Sequence, residues 1–337
     1  MTTYYYQPAS GNWSDAKAWN TAADGSGDNA SHPLPSDATA DLNGKAVVLD
    51  VSPTLAAIQA SGAAGQLTVS GSRAITADVN YSGSRTSGMI VLPNGTALTI
   101  NGQVSNSGSG YAVWMPAGSN APITVSNPGG TAVSCSNGRA ISGSGTSTGA
   151  VTIVGDVVVS GGDYAIYTTG EANHSLTGNI LKTGATAAWF CNATSLTING
   201  RILGYDPFYT SSTTLNWIGT HTLAADEQVW WRIAGGTVNF GTAGTALLLT
   251  VLGRLTITKY DGNFSQSYGT VTLGSAAAQA AMYSNNAQVL AVTGPVLPDA
   301  ANVLQGSGQY GYASDLQLPS YSGSGASLPI RIGQVIQ

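Results

Sequence analysis

The chain has 337 residues and a formal net charge of −5, and its 11 lysines and arginines form no basic cluster. This charge excludes an electrostatic nucleic-acid surface and attachment to an anionic membrane, and no apolar run approaches the roughly 18 residues that cross a bilayer. Charged residues make up only 8% of the chain, whereas hydrophobic residues make up 42% and come in strand-length runs, which excludes a disordered chain. We therefore predict a folded protein with a surface of hydroxyl and amide side chains.

The first 45 residues differ in composition from the rest. Their features are Tyr4-Tyr5-Tyr6, Gly11-Asn12-Trp13, Trp19, a glycine-rich loop at 24–28 and Pro33-Leu34-Pro35-Ser36-Asp37. This order resembles the N-terminal module of phage- and prophage-encoded β-solenoid proteins: a tyrosine-rich strand, a G-x-W motif with a second tryptophan, a glycine-rich loop and P-x-x-x-D. The resemblance implies a structural component of a virus particle, with no reaction attached.

Residues 1–45 are predicted to form an N-terminal cap. Trp13 and Trp19 are large enough to cover the open apolar end of a stack of repeats, and their spacing suits a turn-linked strand pair. The alternative is that the two rings form a carbohydrate-stacking platform. We interpret Asp24–Asp28 as a surface turn, with a calcium loop as the alternative, because nothing supplies the bidentate glutamate of an EF-hand.

Residues 46–293 are predicted to form the repeats. Strands at 46–49, 66–69 and 89–92 come first, and residues 54–60 are a short segment within the first coils. From Leu98 to Leu273 an aliphatic, a small polar and an apolar residue recur in that order, at intervals of roughly 16 to 28 residues. Copies of this first phrase begin at Leu98, Ile123, Val151, Leu196, Val238, Leu255 and Val271, with looser copies at Leu176 and Leu215.

A second apolar phrase follows the first in five of the repeats. Its copies are Tyr111-Ala112-Val113-Trp114, Arg139-Ala140-Ile141, Tyr164-Ala165-Ile166-Tyr167, Ala187-Ala188-Trp189-Phe190 and Pro207-Phe208-Tyr209. Recurrence at this length predicts an all-β solenoid, specifically a single-stranded parallel β-helix with one coil per repeat. The second phrase also resembles the rungs of right-handed β-helices of the pectin-lyase type, which implies packing inside a coil.

Aromatic residues gather between 205 and 231. Exposed rings beside amides and carboxylates would suit a glycan, since one face of a sugar is apolar; the same rings could instead lie in the core or at a subunit contact. The candidate contacts to a glycan or another subunit are Tyr205, Tyr209, Trp217, Trp230 and Trp231.

Residues 294–337 are predicted to form an extended, irregular C-terminal arm, because Pro295, Pro298, Pro319 and Pro329 interrupt any strand ladder. The arm has few apolar residues, so a partner surface is needed to offset its ordering entropy. A surface so poor in charge also favours association. We therefore predict a homo-oligomer, specifically a trimer, that contacts other virion proteins.

The residue pattern predicts no enzyme and no cofactor. Asp163 and Asp206 precede the second phrase in their repeats but are two coils apart, roughly 10 Å, too far to act as a pair by stacking alone. His32, His174 and His221 fall in no triad or metal motif and are interpreted as surface or packing residues. Cys135 and Cys191 are predicted to be buried thiols.

The sequence as a whole favours a bacteriophage virion structural protein: a tail-fibre or spike component, or a head-surface protein, that acts by assembly and by adhesion to host-surface glycan. The N-terminus has neither the positive region nor the apolar core of a secretory signal, so assembly in the bacterial cytoplasm is expected. The alternatives are a polysaccharide-degrading tailspike and an exported bacterial β-helix adhesin.

Overall fold

The computed structural model describes residues 2–61, 64–161, 163–184, 187–205, 207–210, 213–233, 236–259, 263–265, 269–273, 279–284 and 292–293. Side chains are described as far as residue 257, except those at 228, 230–233 and 256. The chain divides into two compact units, residues 1–194 and the residues from Ser195 onward. Every regular element in the described ranges is a β-strand, which confirms the predicted all-β class.

The strands of the first unit are short. They are β1 (Thr3–Tyr6), β2 (Ser10–Asn12), β3 (Trp19–Asn20), β4 (Asn29–Ala30), β5 (Thr39–Asp41), β6 (Ala46–Leu49), β7 (Thr54–Gln59), β8 (Gln66–Val69), β9 (Ser72–Tyr81), β10 (Ile90–Val91), β11 (Ala97–Asn101), β12 (Val104–Asn106), β13 (Tyr111–Met115), β14 (Ile123–Cys135), β15 (Arg139–Gly143), β16 (Val151–Val159), β17 (Ile166–Thr168), β18 (Asn173–Thr177), β19 (Ile180–Lys182) and β20 (Trp189–Cys191). The strands predicted for this unit are confirmed, and residues 54–59, predicted as part of the first coils, are strand β7.

The N-terminal segment contributes strands to the same parallel pairing as the residues after it. β1 pairs in parallel with β5, β5 with β7, and β2 with β6. The strands β3 and β4 depart from this pattern, since β3 pairs antiparallel with both β1 and β4. Strands on the two sides of the predicted boundary at residue 45 therefore pair directly, and the pairing continues across it.

Strands from successive repeats pair in parallel and form three rows in the first unit. The first row holds residues 72–76 of β9, β11, residues 123–126 of β14, residues 151–154 of β16, and β18. The second row holds residues 79–81 of β9, β12, residues 133–135 of β14, residues 157–159 of β16, and β19. The third row holds β6, β8, β10, β13, β15, β17 and β20.

Alternation along each strand sends every second side chain into the interior. In β16 the side chains of Val151, Ile153, Val157 and Val159 are fully buried, and the side chains that alternate with them, those of Thr152, Val154, Asp156 and Val158, are half-buried. Ile153 pairs in register with Val125 on one side and with Leu176 on the other, so equivalent apolar residues stack. Each such side chain stabilises the fold by about 1.5 to 3 kcal/mol.

Glycines turn the chain from the first row to the second. Gly102, Gly155 and Gly178 occupy this bend in three repeats, with φ values of 154°, 121° and 147°. A Cβ atom at Gly155 would lie 2.5 Å from the carbonyl oxygen of Asn127 and 2.8 Å from that of Gly130. The bend therefore requires glycine both for its backbone conformation and for its approach to the preceding strand.

The second unit repeats the parallel pairing in three further sets. Its strands are β21 (Ser195–Asn199), β22 (Ile202–Tyr205), β23 (Phe208–Thr210), β24 (Thr214–Leu223), β25 (Gln228–Ile233), β26 (Thr237–Phe240), β27 (Leu247–Val251), β28 (Arg254–Lys259), β29 (Asn263–Ser265), β30 (Gly269–Leu273), β31 (Gln279–Ser284) and β32 (Val292–Thr293). The sets run β21–β24–β26–β29, β22–β25–β28–β31 and β24–β27–β30–β32. The predicted arm, residues 294–337, lies outside the described residues.

His174 is a packing residue in the interior of the first unit, as predicted. Its ring is 3% exposed and lies 5.8 Å from the ring of Trp189, centroid to centroid. Its Nδ1 atom accepts a hydrogen bond of 3.0 Å from the backbone N–H of Val151, which places the proton of the neutral ring on Nε2. Burial lowers the pKa of His174 to about 4.

Acid is expected to destabilise the first unit through His174. Because its pKa falls from 6.5 to about 4 on folding, the unfolded chain binds the extra proton first, and stability present above pH 6.5 is lost as the pH falls towards 4. Between pH 7 and pH 5 we expect His174 to lower the free energy of unfolding by about 2 kcal/mol. Urea unfolding at the two pH values, followed by circular dichroism, measures it.

His174→Asn should reduce the acid loss by that amount, because asparagine keeps an acceptor near the Nδ1 position and has no titrating ring. Leu176→Ala is the matched control: Leu176 is buried in the same strand, so its loss lowers stability at both pH values alike. An acid loss in His174→Asn equal to that of the unaltered chain would contradict this account.

Candidate functional site

Aromatic side chains line the outward face of the third row in the first unit. The register aligns Trp114 with Ser142, Ser142 with Tyr167, and Tyr167 with Phe190. Trp114, Tyr167 and Phe190 are half-buried, while their neighbours in each strand are buried. Three of these four successive strands, β13, β17 and β20, thus place an aromatic side chain at the outward position, and β15 has Ser142 at the equivalent place.

Tyr167 and Phe190 form a stacked pair on adjacent strands. Their ring centroids are 4.5 Å apart and their planes differ by 17°. Tyr164 lies beside this pair, 5.8 Å from Tyr167 and 5.4 Å from Phe190, with its plane inclined by 53° and 70° to theirs. Its ring therefore does not continue the stack but flanks it.

Arg139 completes the stack on the side opposite Phe190. Its guanidinium carbon lies 3.9 Å from the centroid of the Tyr167 ring, 5.2 Å from that of Tyr111 and 5.9 Å from that of Tyr164. One guanidinium NH group lies 3.4 Å from the hydroxyl of Ser142, which is 2% exposed. Arg139 thus covers the serine and lies against one face of Tyr167, where a cation–π contact contributes about 0.5 to 1 kcal/mol.

Asp163 balances the charge of Arg139. The Nε atom of Arg139 donates to Oδ2 of Asp163 at 3.2 Å, and the other carboxylate oxygen accepts the backbone N–H of Tyr164 at 2.8 Å. The two side chains are 20% and 34% exposed, so solvent reaches the pair. We call this set the aromatic–arginine ladder: Tyr111, Trp114, Arg139, Ser142, Asp163, Tyr164, Tyr167 and Phe190.

The ladder offers a firm surface with both apolar and hydrogen-bonding groups. The stack of Arg139, Tyr167 and Phe190 restrains the three side chains, because Tyr167 lies between the other two. Tyr164 lies beside the stack, near the carboxylate of Asp163 and the guanidinium of Arg139. Such a surface suits a ligand that presents apolar C–H faces and hydroxyl groups together.

The ladder's position was missed because the second phrase was assigned to packing inside a coil. That interpretation is wrong for its outermost residues: Tyr164, Tyr167 and Phe190 face outwards, and the interior is filled by Ile166 and Trp189. The signal lay in the aligned phrases, whose fourth positions are Trp114, Tyr167 and Phe190. Because side chains alternate between the two faces of a strand, the fourth position of each phrase points away from the core.

The aromatic residues predicted between 205 and 231 have different environments. Tyr205 and Tyr209 are 44% and 49% exposed, which fits the predicted contact role. Trp217 does not fit the predicted contact role, because its ring is fully buried. Its indole N–H donates to the carbonyl oxygen of Gly200 at 2.8 Å, so Trp217 is a core residue. The side chains of Trp230 and Trp231 lie outside the described residues.

Trp13 and Trp19 are interior side chains, both fully buried. Their ring centroids are 4.6 Å apart, and the indole N–H of Trp19 donates to the backbone carbonyl oxygen of Trp13 at 3.1 Å. Tyr6 packs edge-on against Trp19 with a centroid distance of 5.2 Å. The alternative of a carbohydrate-stacking platform is therefore wrong, because solvent does not reach these rings.

The remaining predicted polar residues have structural partners. Asp24 accepts hydrogen bonds from the backbone N–H and the hydroxyl of Ser26, which closes the predicted surface turn. Cys135 and Cys191 are buried thiols as predicted, and burial raises the pKa of Cys135 to about 11. Asp206, the second carboxylate considered with Asp163, lies outside the described residues.

Comparison of the chain with protein-family models, with curated proteins and with solved structures finds no match. Within the described ranges, no helix has the length and apolarity needed to span a membrane.

Proposed function

We propose that the chain is a single-stranded parallel β-helix that serves as a structural protein of a bacteriophage particle. In this proposal it is a tail-fibre or spike component or a head-surface protein, and it acts by assembly and by contact with the host surface. The observation that carries the proposal is the parallel, in-register pairing of successive repeats, which builds an extended face from short segments. The N-terminal resemblance to phage β-solenoid proteins supports it.

The aromatic–arginine ladder supports the contact part of the proposal. Its side chains are held by one another and by the register of the third row, so the surface is ordered before a partner arrives. Preorganised side chains lose little entropy on binding. A low-charge surface favours assembly with other virion proteins and with copies of the same chain, for which a trimer is proposed.

Immunogold electron microscopy of phage particles tests the proposal. Antibodies raised against the purified chain should label particles released by lysis of the host, and should label none from a host whose gene for this chain is deleted. Label on the envelope of intact cells, with unlabelled particles, would overturn the proposal in favour of an exported adhesin. Release of reducing ends from host polysaccharide by the purified chain would favour the tailspike enzyme instead.

A further inference from the structure

We propose that the aromatic–arginine ladder is a binding site for a neutral glycan, with a sugar ring on Tyr164 and its hydroxyls hydrogen-bonded to Asp163 and Arg139. The inference rests on the proposed function, since the glycan would belong to the host surface. It assigns the contact to the first unit, whereas the sequence indicated the aromatic residues between 205 and 231.

The charges of the site select a neutral ligand. Arg139 and Asp163 form a pair at 3.2 Å, so the site has one positive and one negative group in contact. An anionic polymer would be attracted by Arg139 but repelled by Asp163. A sugar diol needs both a donor and an acceptor, which a guanidinium and a carboxylate provide side by side.

The distribution of apolar area favours a glycan over a protein partner. Protein interfaces have a contiguous apolar core that excludes water. The ladder's rings are half-buried, and the large hydrophobic side chains that are exposed in the described part of the chain are Tyr205, Tyr209 and Leu248, all in the second unit. Half-buried rings beside a charged hydrogen-bonding pair instead match the alternating C–H and O–H groups of a sugar.

The ring that meets the sugar is assigned by the stacking geometry. Tyr167 is covered by Arg139 on one face, at 3.9 Å, and by Phe190 on the other, at 4.5 Å. Tyr164 stands at 53° and 70° to those rings and follows Asp163 directly in the chain. We assign Tyr164 as the contact because it lies directly beside the carboxylate of Asp163 and the guanidinium of Arg139, which would meet the sugar hydroxyls. Tyr167 and Phe190 are positioning residues that hold Arg139 and Tyr164.

A microarray of neutral and anionic bacterial polysaccharides, probed with the full chain, tests the inference. We expect binding to at least one neutral polysaccharide that is unchanged at high salt, because no net charge takes part. Tyr164→Ala should weaken this binding by at least about tenfold, and Asp163→Asn by about fivefold. Tyr164→Phe should bind within about twofold of the unaltered chain, because it keeps the ring.

The control is Tyr4→Ala, which removes a half-buried tyrosine of β1 in the same unit and should leave binding unchanged. Unaltered circular dichroism and melting temperature are required of each variant, and Asp163→Asn keeps the test valid if Tyr164→Ala does not fold. Absence of binding to every neutral polysaccharide, salt-sensitive binding to anionic ones only, or equal binding by Tyr164→Ala would each overturn the inference. Particle labelling would be unaffected by those outcomes, so the two proposals fail separately.

Discussion

Gly155→Ala is expected to destabilise the first unit by about 3 to 5 kcal/mol. The backbone φ of 121° at this position is nearly closed to residues with a Cβ atom, and the new methyl group would lie 2.5 Å from the carbonyl oxygen of Asn127. That oxygen belongs to the chain's preceding repeat, so relief of the contact must separate paired strands. Native-state hydrogen exchange of the amides in β14 and β16 measures the loss locally.

Gly129→Ala is the matched control. Gly129 also has a positive φ, 75°, but a Cβ atom there would have no atom within 4 Å. Only the conformational strain remains, about 1 to 2 kcal/mol. Equal losses in the two variants would show that the close approach between repeats at Gly155 does not exist.

Trp19→Ala is expected to destabilise the N-terminal strands by about 4 kcal/mol, in the range observed for removal of a fully buried aromatic side chain. Trp19 is completely buried, packs on Trp13 and Tyr6, and donates its indole N–H to the carbonyl oxygen of Trp13. Its removal leaves a cavity beside the rings of Trp13 and Tyr6 and leaves the carbonyl oxygen of Trp13 without this hydrogen bond. Hydrogen exchange in β1, β3 and β5 should report the loss first.

Trp19→Phe separates packing from hydrogen bonding at this site. Phenylalanine keeps most of the ring contact and loses the 3.1 Å hydrogen bond, so a smaller loss of about 2 kcal/mol is expected. A loss in Trp19→Ala below about 1 kcal/mol would mean that the ring is not buried in solution. That result would also favour the alternative in which Trp13 and Trp19 form an exposed carbohydrate-stacking platform.

The strands were predictable because their signal is local. A phrase such as Val151-Thr152-Ile153 alternates with period two, and each alternate residue must be buried, so sequence alone identifies the strand and its inner face. The repeat interval likewise predicts that equivalent phrases lie together, and Ile100, Val125, Ile153 and Leu176 do pair in succession.

The cap boundary and the ladder were less predictable because they depend on contacts between distant residues. Composition separates residues 1–45 from the rest, yet β2 pairs with β6 as one repeat pairs with the next. Backbone hydrogen bonds do not distinguish side chains, so a change in composition need not interrupt a sheet. In the same way, Arg139 reaches diagonally across Ser142 to Tyr167, a contact that no pattern along the chain encodes.

Cysteine pairing across the first row tests the stacking of repeats most directly. Thr99 and Thr124 are outward register partners on β11 and β14, whereas Thr152 is the partner of Thr124 one strand further on. We predict that dibromobimane, which fluoresces once it joins two nearby thiols, links Thr99→Cys to Thr124→Cys in a double variant. The pair Thr99→Cys and Thr152→Cys, about 10 Å apart, should stay unlinked. Equal linking in both pairs, or none in the first, would contradict in-register stacking of the repeats.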